Sequence, residues 1–495
     1  MNLATVYTRA AVGIDAPLVN VEVHITGGLP NFFMVGLPET AVKESRDRIR
    51  SALMSNQFEF PIRCITVNLA PADLPKEGGR FDLPIALGIL LASHQLRVDN
   101  IQDFEFAGEL GLTGELRSIK GALPIAIQSH RAQRTVVLPR PNQYEASLAG
   151  GQQWFASHLS EVCVWLSEQA KTPPPTVLPP TKKIHYKVDM RDIKGQEQAK
   201  RALLIAATGG HHLLLKGPPG TGKTMLAERL ITILPEPTPA EKIEIACLRS
   251  IYQPLNPDMM IERPFRSPHH SASAAAIVGG GTTPRPGEIS LAHEGVLFLD
   301  ELPEFQRNVL EALREPLEAG KVTISRAKQQ LTFPARFQLV AAMNPCPCGF
   351  LGDPEKECRC SSLHIDRYQQ KLSGPLLDRI DLHIDVPRIA YTELRKQPKA
   401  DVTSALWQAR VTALREQQYQ RQQVLNAKLS GALLDTVCVL GEAEQAFFLR
   451  LCEQLHLSMR AAQKVLKVAR TIADIEDAEQ IGIAHLSEAM SYRAG

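Results

Sequence analysis

Residues Gly217–Thr224 read GPPGTGKT, and this run constrains the fold more than any other feature of the chain. It fits the pattern Gly-x-x-x-x-Gly-Lys-Ser/Thr and lies between the apolar run HHLLLK and the segment MLAERLITIL. The setting it predicts is a buried strand, a tight loop and a helix. Gly217, Gly220 and Gly222, with Pro218, Pro219 and Thr221 among them, let successive backbone N–H groups face one concavity where phosphate oxygens can sit. Lys223 adds positive charge at the β- and γ-phosphates, and the amino terminus of the helix adds its dipole. Thr224 is placed to give its hydroxyl oxygen to Mg²⁺. The ligand expected here is ATP with Mg²⁺.

Two further apolar runs end on residues suited to the same chemistry. GVLFLDE (Gly295–Glu301) closes on two carboxylates that divide the work of phosphoryl transfer. Asp300 would hold the magnesium through water, and Glu301 would orient and polarise the attacking water. FQLVAAMNP delivers Asn344, whose amide can hydrogen-bond that water or the γ-phosphate. Short apolar runs separated by helical segments predict parallel strands with crossover helices, an α/β core.

A chain of 495 residues has room for roughly three domains at about 150 residues each. The sharpest break is SEQAKTPPPTVLPPTKK, whose prolines stop helices and favour an extended connector, so a linker is placed at 168–190. Before it, residues 1–167 mix strands (Val19–Thr26, Arg63–Ala70) with helices (Ala41–Ser55, Leu83–Ser93) and read as an α+β domain. Residues 191–390 form the α/β nucleotide core. From 391 to 495 turn signals thin out and helical periodicity takes over, as in VTSALWQARVTALREQQYQRQQ. Lys plus Arg number 55 against 53 for Asp plus Glu, so any nucleic-acid contact must be local. No run reaches the ~18 apolar residues that could span a bilayer, and the amino terminus lacks a secretory pattern. A cytoplasmic location without membrane association is expected.

Four of the nine cysteines cluster in NPCPCGFLGDPEKECRC. Cys346, Cys348, Cys358 and Cys360 form two Cys-x-Cys pairs, and four thiolates are what a closed, structural Zn²⁺ site needs. Gly349, Gly352 and Pro354 allow the loop to fold back and bring the pairs together. Four reduced thiols in a surface loop, or an iron–sulfur cluster, are the alternatives.

The order of phosphate loop, Asp-Glu strand end and strand-end Asn resembles the AAA+ ATPases. More narrowly, RPFRSPHHSASAAAIVGGG (Arg263–Gly281), ELPEF (Glu301–Phe305), AAMNPCPCG and SGPLLDRIDLHI (Ser373–Ile384) resemble the magnesium-chelatase-like branch. The resemblance implies a homo-hexameric ring with ATP between subunits, and a helical lid in the carboxy-terminal third. It implies too that Arg379, in LLDRID, is the arginine finger completing the neighbour's site. Arg460, in LSMRAAQKVLKVARTIAD, matches the lid arginine called the second sensor. A guanidinium suits the charge developing on a γ-phosphoryl group; structural surface roles for both arginines stay open.

In the first domain, LPKEGGRFDLPIALGIL (Leu74–Leu90) and GELGLTGELRSIKGALPIAI (Gly108–Ile127) resemble the Lon proteolytic domain. That domain uses a serine activated by a lysine. Here the serine position reads Arg80 and the lysine position falls on Leu123, so the resemblance implies the fold without the protease. The basic helix carrying Lys43, Arg46, Arg48 and Arg50 is interleaved with Glu44 and Asp47, and a solvated face is the plainer reading.

Over almost the whole chain this combination resembles the YifB/ComM family, which includes competence-linked DNA helicases that drive branch migration in natural transformation. That resemblance implies single-stranded or branched DNA as the partner. KVTISRAKQQLTFP (Lys321–Pro334) reads as a hairpin with a basic tip at Arg326 and Lys328, suited to phosphate contacts in a ring pore or, equally, to solvent. The competing class is a chelatase-like remodeller of a protein partner that does not translocate DNA.

Overall fold

The structure, a computed structural model, describes residues 2–36, 42, 44–168, 186–259, 261–281, 284–326, 329–389 and 403–493; the side chains of 326 and 329 are outside the description. The chain divides into two compact units, residues 1–183 with 239–261, and 184–238 with 262–495. Most of the expected proline linker, 169–185, lies outside the described residues, as does the chain from 390 to 402. The expected linker ends too late, because Met190 is already buried in the second unit's core.

The first unit is built on seven strands: β1 (Leu3–Arg9), β2 (Leu18–Thr26), β3 (Asn31–Val35), β4 (Cys64–Ala70), β5 (Phe104–Phe106), β6 (Thr135–Pro139) and β7 (Gln153–Ala156), ordered β3-β4-β2-β1-β5-β6-β7. β1 and β4 flank β2 antiparallel, with Val6 opposite Val21 and Val21 opposite Leu69. Alternation puts Val19, Val21, Val23 and Ile25 on one buried face. Helix α1 (Ser45–Ser55) precedes β4, and α2 (Asp82–Ala92), apolar nearly all round, packs on β1 and β2. Helices α3 (Ala122–Arg131) and α4 (Leu159–Ser167) follow later in the unit.

The second unit holds a five-stranded, all-parallel sheet of β8 (Leu213–Lys216), β9 (Phe265–Arg266), β10 (Val296–Leu299), β11 (Gln338–Met343) and β12 (Leu382–Asp385), ordered β9-β10-β11-β8-β12. Parallel strands need crossovers and so are covered on both faces, which is why β10 and β11 are buried end to end. The first strand of this sheet lies between the fourth and the fifth, so the loop leaving its carboxyl end opens beside theirs, where α/β sheets bind ligands. Helices α5 (Glu197–Gly209) and α6 (Lys223–Ile233) pack together and against the later α8 (Ser404–Gln422).

Residues 239–261, within the block expected to be nucleotide core, belong instead to the first unit. Their helix α7 (Pro239–Ser250) packs on α3, where Ala246, Cys247 and Leu255 bury Leu123. Gly121 donates to Ser250 O at 2.8 Å and Leu255 N to Glu145 Oε2 at 3.3 Å, so the excursion is hydrogen-bonded as well as apolar. The sequence offers no warning of this, because an amphipathic helix carries no label for the partner it covers.

The carboxy-terminal helices α8, α9 (Glu442–Gln454), α10 (Met459–Ile475) and α11 (Ile483–Ser491) share one apolar core with the sheet and its helices. In α10 the stripe Ala461, Val465, Val468, Ala469 and Ile472 is buried at helical spacing, and Ser458 caps the first turn by accepting from Ala461 N. Among the described residues no helix is long and apolar enough to cross a membrane.

Candidate nucleotide site

The phosphate loop, Gly217 through Gly222, leaves β8 and runs into α6, whose first residue is Lys223. Gly222 caps the helix at φ 87°, a left-handed conformation that costs glycine nothing. Lys223 Nζ donates to Gly217 O at 2.7 Å, to Pro218 O at 2.9 Å and to Asn344 Oδ1 at 3.2 Å. Burial lowers its pKa, while Asp300 and Glu301 act in the opposite sense. Thr224 Oγ1 donates to Asp300 Oδ2 at 3.0 Å, so the two groups expected to hold magnesium are already adjacent. The strand ends of β8, β10 and β11 thus bring Lys223, Thr224, Asp300, Glu301 and Asn344 to one place.

Glu301 sits at φ 52° with its N–H donated to Asp300 Oδ1 at 2.9 Å. Its Oε2 lies 3.1 Å from Nδ1 of His270, a residue that sequence reasoning did not single out as functional. His270 stands 31 positions before Glu301, and no short-range pattern links it to the carboxylate.

The cysteine loop touches the same site. A Cβ at Gly349 would lie 2.7 Å from Pro219 Cδ, so only glycine lets this loop rest on the phosphate loop. Cys346, Cys348, Cys358 and Cys360 converge with their Sγ atoms within 4.8 Å of one another. Cys346 to Cys348 is 3.4 Å, and both of these to Cys358 are 3.6 Å. A tetrahedral Zn–S₄ site with bonds of about 2.3 Å has edges of about 3.8 Å, so the donors fit that ion. Backbone N–H groups of Phe350 and then Arg359 bring the Cys348 thiol down to about 6. The loop is tied down by Arg388, 2.6 Å from Asp353 and stacked over Phe350.

Arg379 and Arg460 face one carboxylate. Arg379 donates to Pro375 O at 2.6 Å and pairs with Glu318, and Arg460 Nη1 lies 3.8 Å from the same carboxylate. Around them is a cavity of about 350 Å³ lined also by Asp381, Lys428 and Lys464. Lys464, one turn along α10 from Arg460, reaches Asp381 Oδ1 at 2.7 Å. Burial alone would raise the Asp381 carboxyl, but Lys464 holds it well below the usual carboxylate range. This clasp fixes the lid helix beside the arginine pair. Of the hairpin, strands Lys321–Arg326 and Gln329–Pro334 pair as expected, while the Arg326 side chain and Lys328 lie outside the described residues.

In the first unit Arg80 and Leu123 are both buried. Arg80 donates to Glu77 O at 3.3 Å, and burial brings its pKa down to about 10. The α1 surface is less free than it reads, because Arg48 forks onto Asp82 at 2.8 and 3.1 Å; Lys43 lies outside the described residues.

The chain resembles known proteins along its whole length. Residues 189–394 match the family described as magnesium chelatase, subunit ChlI, residues 21–142 that of subunit ChlI of Mg-chelatase, and residues 401–493 that of its carboxy-terminal region. The chain is 51% identical over its whole length to 98% of the competence protein ComM of Haemophilus influenzae. It is 50% identical, again over its whole length, to 97% of the YifB protein of Salmonella typhimurium. It is 25% identical, over 61% of its length, to 90% of the magnesium-chelatase 38 kDa subunit of Cereibacter sphaeroides. Full-length identity at this level, joined to a parallel-sheet nucleotide module and a helical carboxy-terminal region, places the chain in the YifB/ComM family of magnesium-chelatase-like AAA+ proteins.

Proposed function

We propose that this chain is an ATP-hydrolysing motor that works as a homo-hexameric ring on DNA, a helicase promoting branch migration of recombination intermediates during natural transformation. The ATPase rests on the meeting of Lys223, Thr224, Asp300, Glu301 and Asn344 at three strand ends of one sheet. The biological setting rests on identity over the whole chain to a protein named for competence.

In this reading Lys223 exchanges the carbonyls of Gly217 and Pro218 for phosphate oxygens when ATP binds. Thr224 and Asp300 would hold Mg²⁺, which would supply positive charge against that of the phosphates. Glu301 takes the proton of the attacking water as its oxygen bonds to the γ-phosphorus and the bond to ADP breaks. Asn344 orients that water or the γ-phosphate. Arg379 and Arg460, held together by Glu318, act as a pair on the γ-phosphoryl group of the neighbouring subunit. Arg326 and Lys328 are the proposed DNA contacts. A structural Zn²⁺ on Cys346, Cys348, Cys358 and Cys360 braces the loop that rests on Pro219. The first unit has no proteolytic role, as the buried Arg80 and Leu123 at the serine and lysine positions support.

The likeness to a magnesium-chelatase subunit favours a second reading, remodelling of a protein partner without DNA translocation. ATP-dependent strand displacement from forked and three-stranded DNA separates the two, with Lys223→Ala and Glu301→Gln beside the parent. Displacement by the parent alone supports the motor. A parent that hydrolyses ATP yet neither binds nor unwinds these DNAs ends the helicase reading.

A further inference from the structure

Helix α10 carries two stripes. The apolar one enters the core; the polar one is Arg460, Lys464, Lys467 and Thr471, spaced four, three and four residues apart and so aligned along one side of the helix. Arg460 Nη1 faces Glu318 at 3.8 Å, and Lys464 Nζ reaches Asp381 at 2.7 Å. One and two turns further on, Lys467 Nζ donates to Ala427 O at 3.2 Å and Thr471 Oγ1 lies 2.8 Å from Nε2 of His211.

These contacts differ in strength. The side chains of Arg460 and Glu318 are 71% and 56% exposed, and a pair so open to water holds a long side chain loosely. Those of Lys464 and Asp381 are 18% and 8% exposed. The second oxygen of Asp381 accepts from His212 N at 3.1 Å and lies 3.5 Å from Nδ1 of His211. Parting the lysine from this carboxylate would strand a charge out of water, so the pair holds. Asp381 also closes the turn that bears Arg379: its N–H donates to His212 O at 3.1 Å, and Arg379 N donates to Leu376 O at 3.0 Å. Lys464 thus stands one helical turn from Arg460, and its partner stands two residues from Arg379. The ion pair is a buried link between the two arginines, and all four side chains line one cavity.

We infer that Lys464 is a positioning residue for phosphoryl transfer: by clasping Asp381 it holds Arg460 of the lid in register with Arg379, so that the two guanidinium groups meet a neighbouring subunit's γ-phosphoryl group as one preformed fork. The inference deepens the proposed ATPase and rests on its reading of the two arginines. Lys464 acts through them, since its own ammonium is committed to Asp381. Without the clasp the apolar stripe keeps α10 in the core, but the turn bearing Arg460 can slide against the turn bearing Arg379. A displacement of about 1 Å is enough to spoil stabilisation that depends on both cations at once.

The test is steady-state ATP hydrolysis by the full chain, with kcat expressed per site titrated by a fluorescent ATP analogue. Lys464→Met should lower kcat about ten- to a hundredfold while affinity for the analogue stays within about twofold, because the subunit's own phosphate loop is untouched. Lys464→Arg should return kcat to within about threefold of the parent, since the adjoining cavity of about 350 Å³ has room for a guanidinium. Asp381→Asn joined to Lys464→Met leaves no buried charge unpaired and should match Lys464→Met alone. A positioning residue acts only through what it positions, so adding Lys464→Met to Arg460→Ala should cost less than about twofold more, whereas a general loss of structure would multiply the two effects. Lys464→Met mixed with Lys223→Ala should regain turnover. Normal kcat in Lys464→Met beside a slow Arg460→Ala overturns the inference alone, as do an Arg variant as slow as Met and a double variant whose losses multiply. If Arg379→Ala and Arg460→Ala turn over like the parent, the reading of the arginines fails and takes the inference with it.

Discussion

Glu145 gives the structure a pH dependence whose sign and size follow from its surroundings. It is buried in the first unit, accepting from Asn142 Nδ2 at 2.6 Å and from Leu255 N at 3.3 Å. Burial raises its pKa from 4.5 to about 7, and the hydrogen bonds from Asn142 and Leu255 offset only part of that. The folded state therefore binds this proton more tightly than the unfolded chain does. Its stabilising contribution is complete below about pH 4.5 and is lost as pH rises through about 7. Between pH 5 and pH 8 the loss from this one group is about 2–3 kcal/mol. Glu145→Gln removes the titration while keeping the shape, so the variant should lose that much less than the parent over the same interval. The assay is urea unfolding of the full chain at the two pH values, followed by fluorescence of Trp154 and Trp165, stacked at 4.4 Å in the first unit, in a Trp407→Phe background. Equal losses in parent and variant would refute the assignment. Because Leu255 belongs to the excursion from the nucleotide module, the same measurement reports how firmly that excursion is docked.

Other outcomes follow from the site. Lys223→Ala should weaken binding of a fluorescent ATP analogue at least tenfold or so, whereas Glu301→Gln should bind normally and lose about 10²–10⁴ in kcat; normal turnover in either removes it from the chemistry. Purified protein should carry one zinc per chain by metal analysis, lost in a Cys348→Ser, Cys358→Ser double variant together with thermal stability, and less than half a zinc per chain counts against the site. Arg379→Ala and Arg460→Ala should each be nearly inactive alone, yet recover turnover when mixed with Lys223→Ala, since a mixed ring then contains interfaces with both halves intact. Failure of all mixtures to recover would place the arginines in their own subunit's site.

The short-range features were legible without coordinates. Phosphate loop, Asp300-Glu301 and the four cysteines are read from neighbours within a turn or a loop, because the chemistry demands those residue types at fixed close spacing. Strand and helix positions followed for the same reason: Val19–Thr26 and Arg63–Ala70 appear as β2 and β4, and Leu83–Ser93 as α2, shifted by a residue at the ends. Tertiary packing alone decided the rest. It set Asn344 against Lys223, 121 positions apart, and gathered Arg379 and Arg460 on Glu318. It laid Gly349 on Pro219, brought His270 to Glu301, and sent residues 239–261 into the first unit. A local pattern states which face of an element is apolar or which loop can hold a phosphate. Which distant surface that face covers, and which carboxylate a lone histidine meets, depends on the shape left by every other element, and no single stretch of the sequence carries that information.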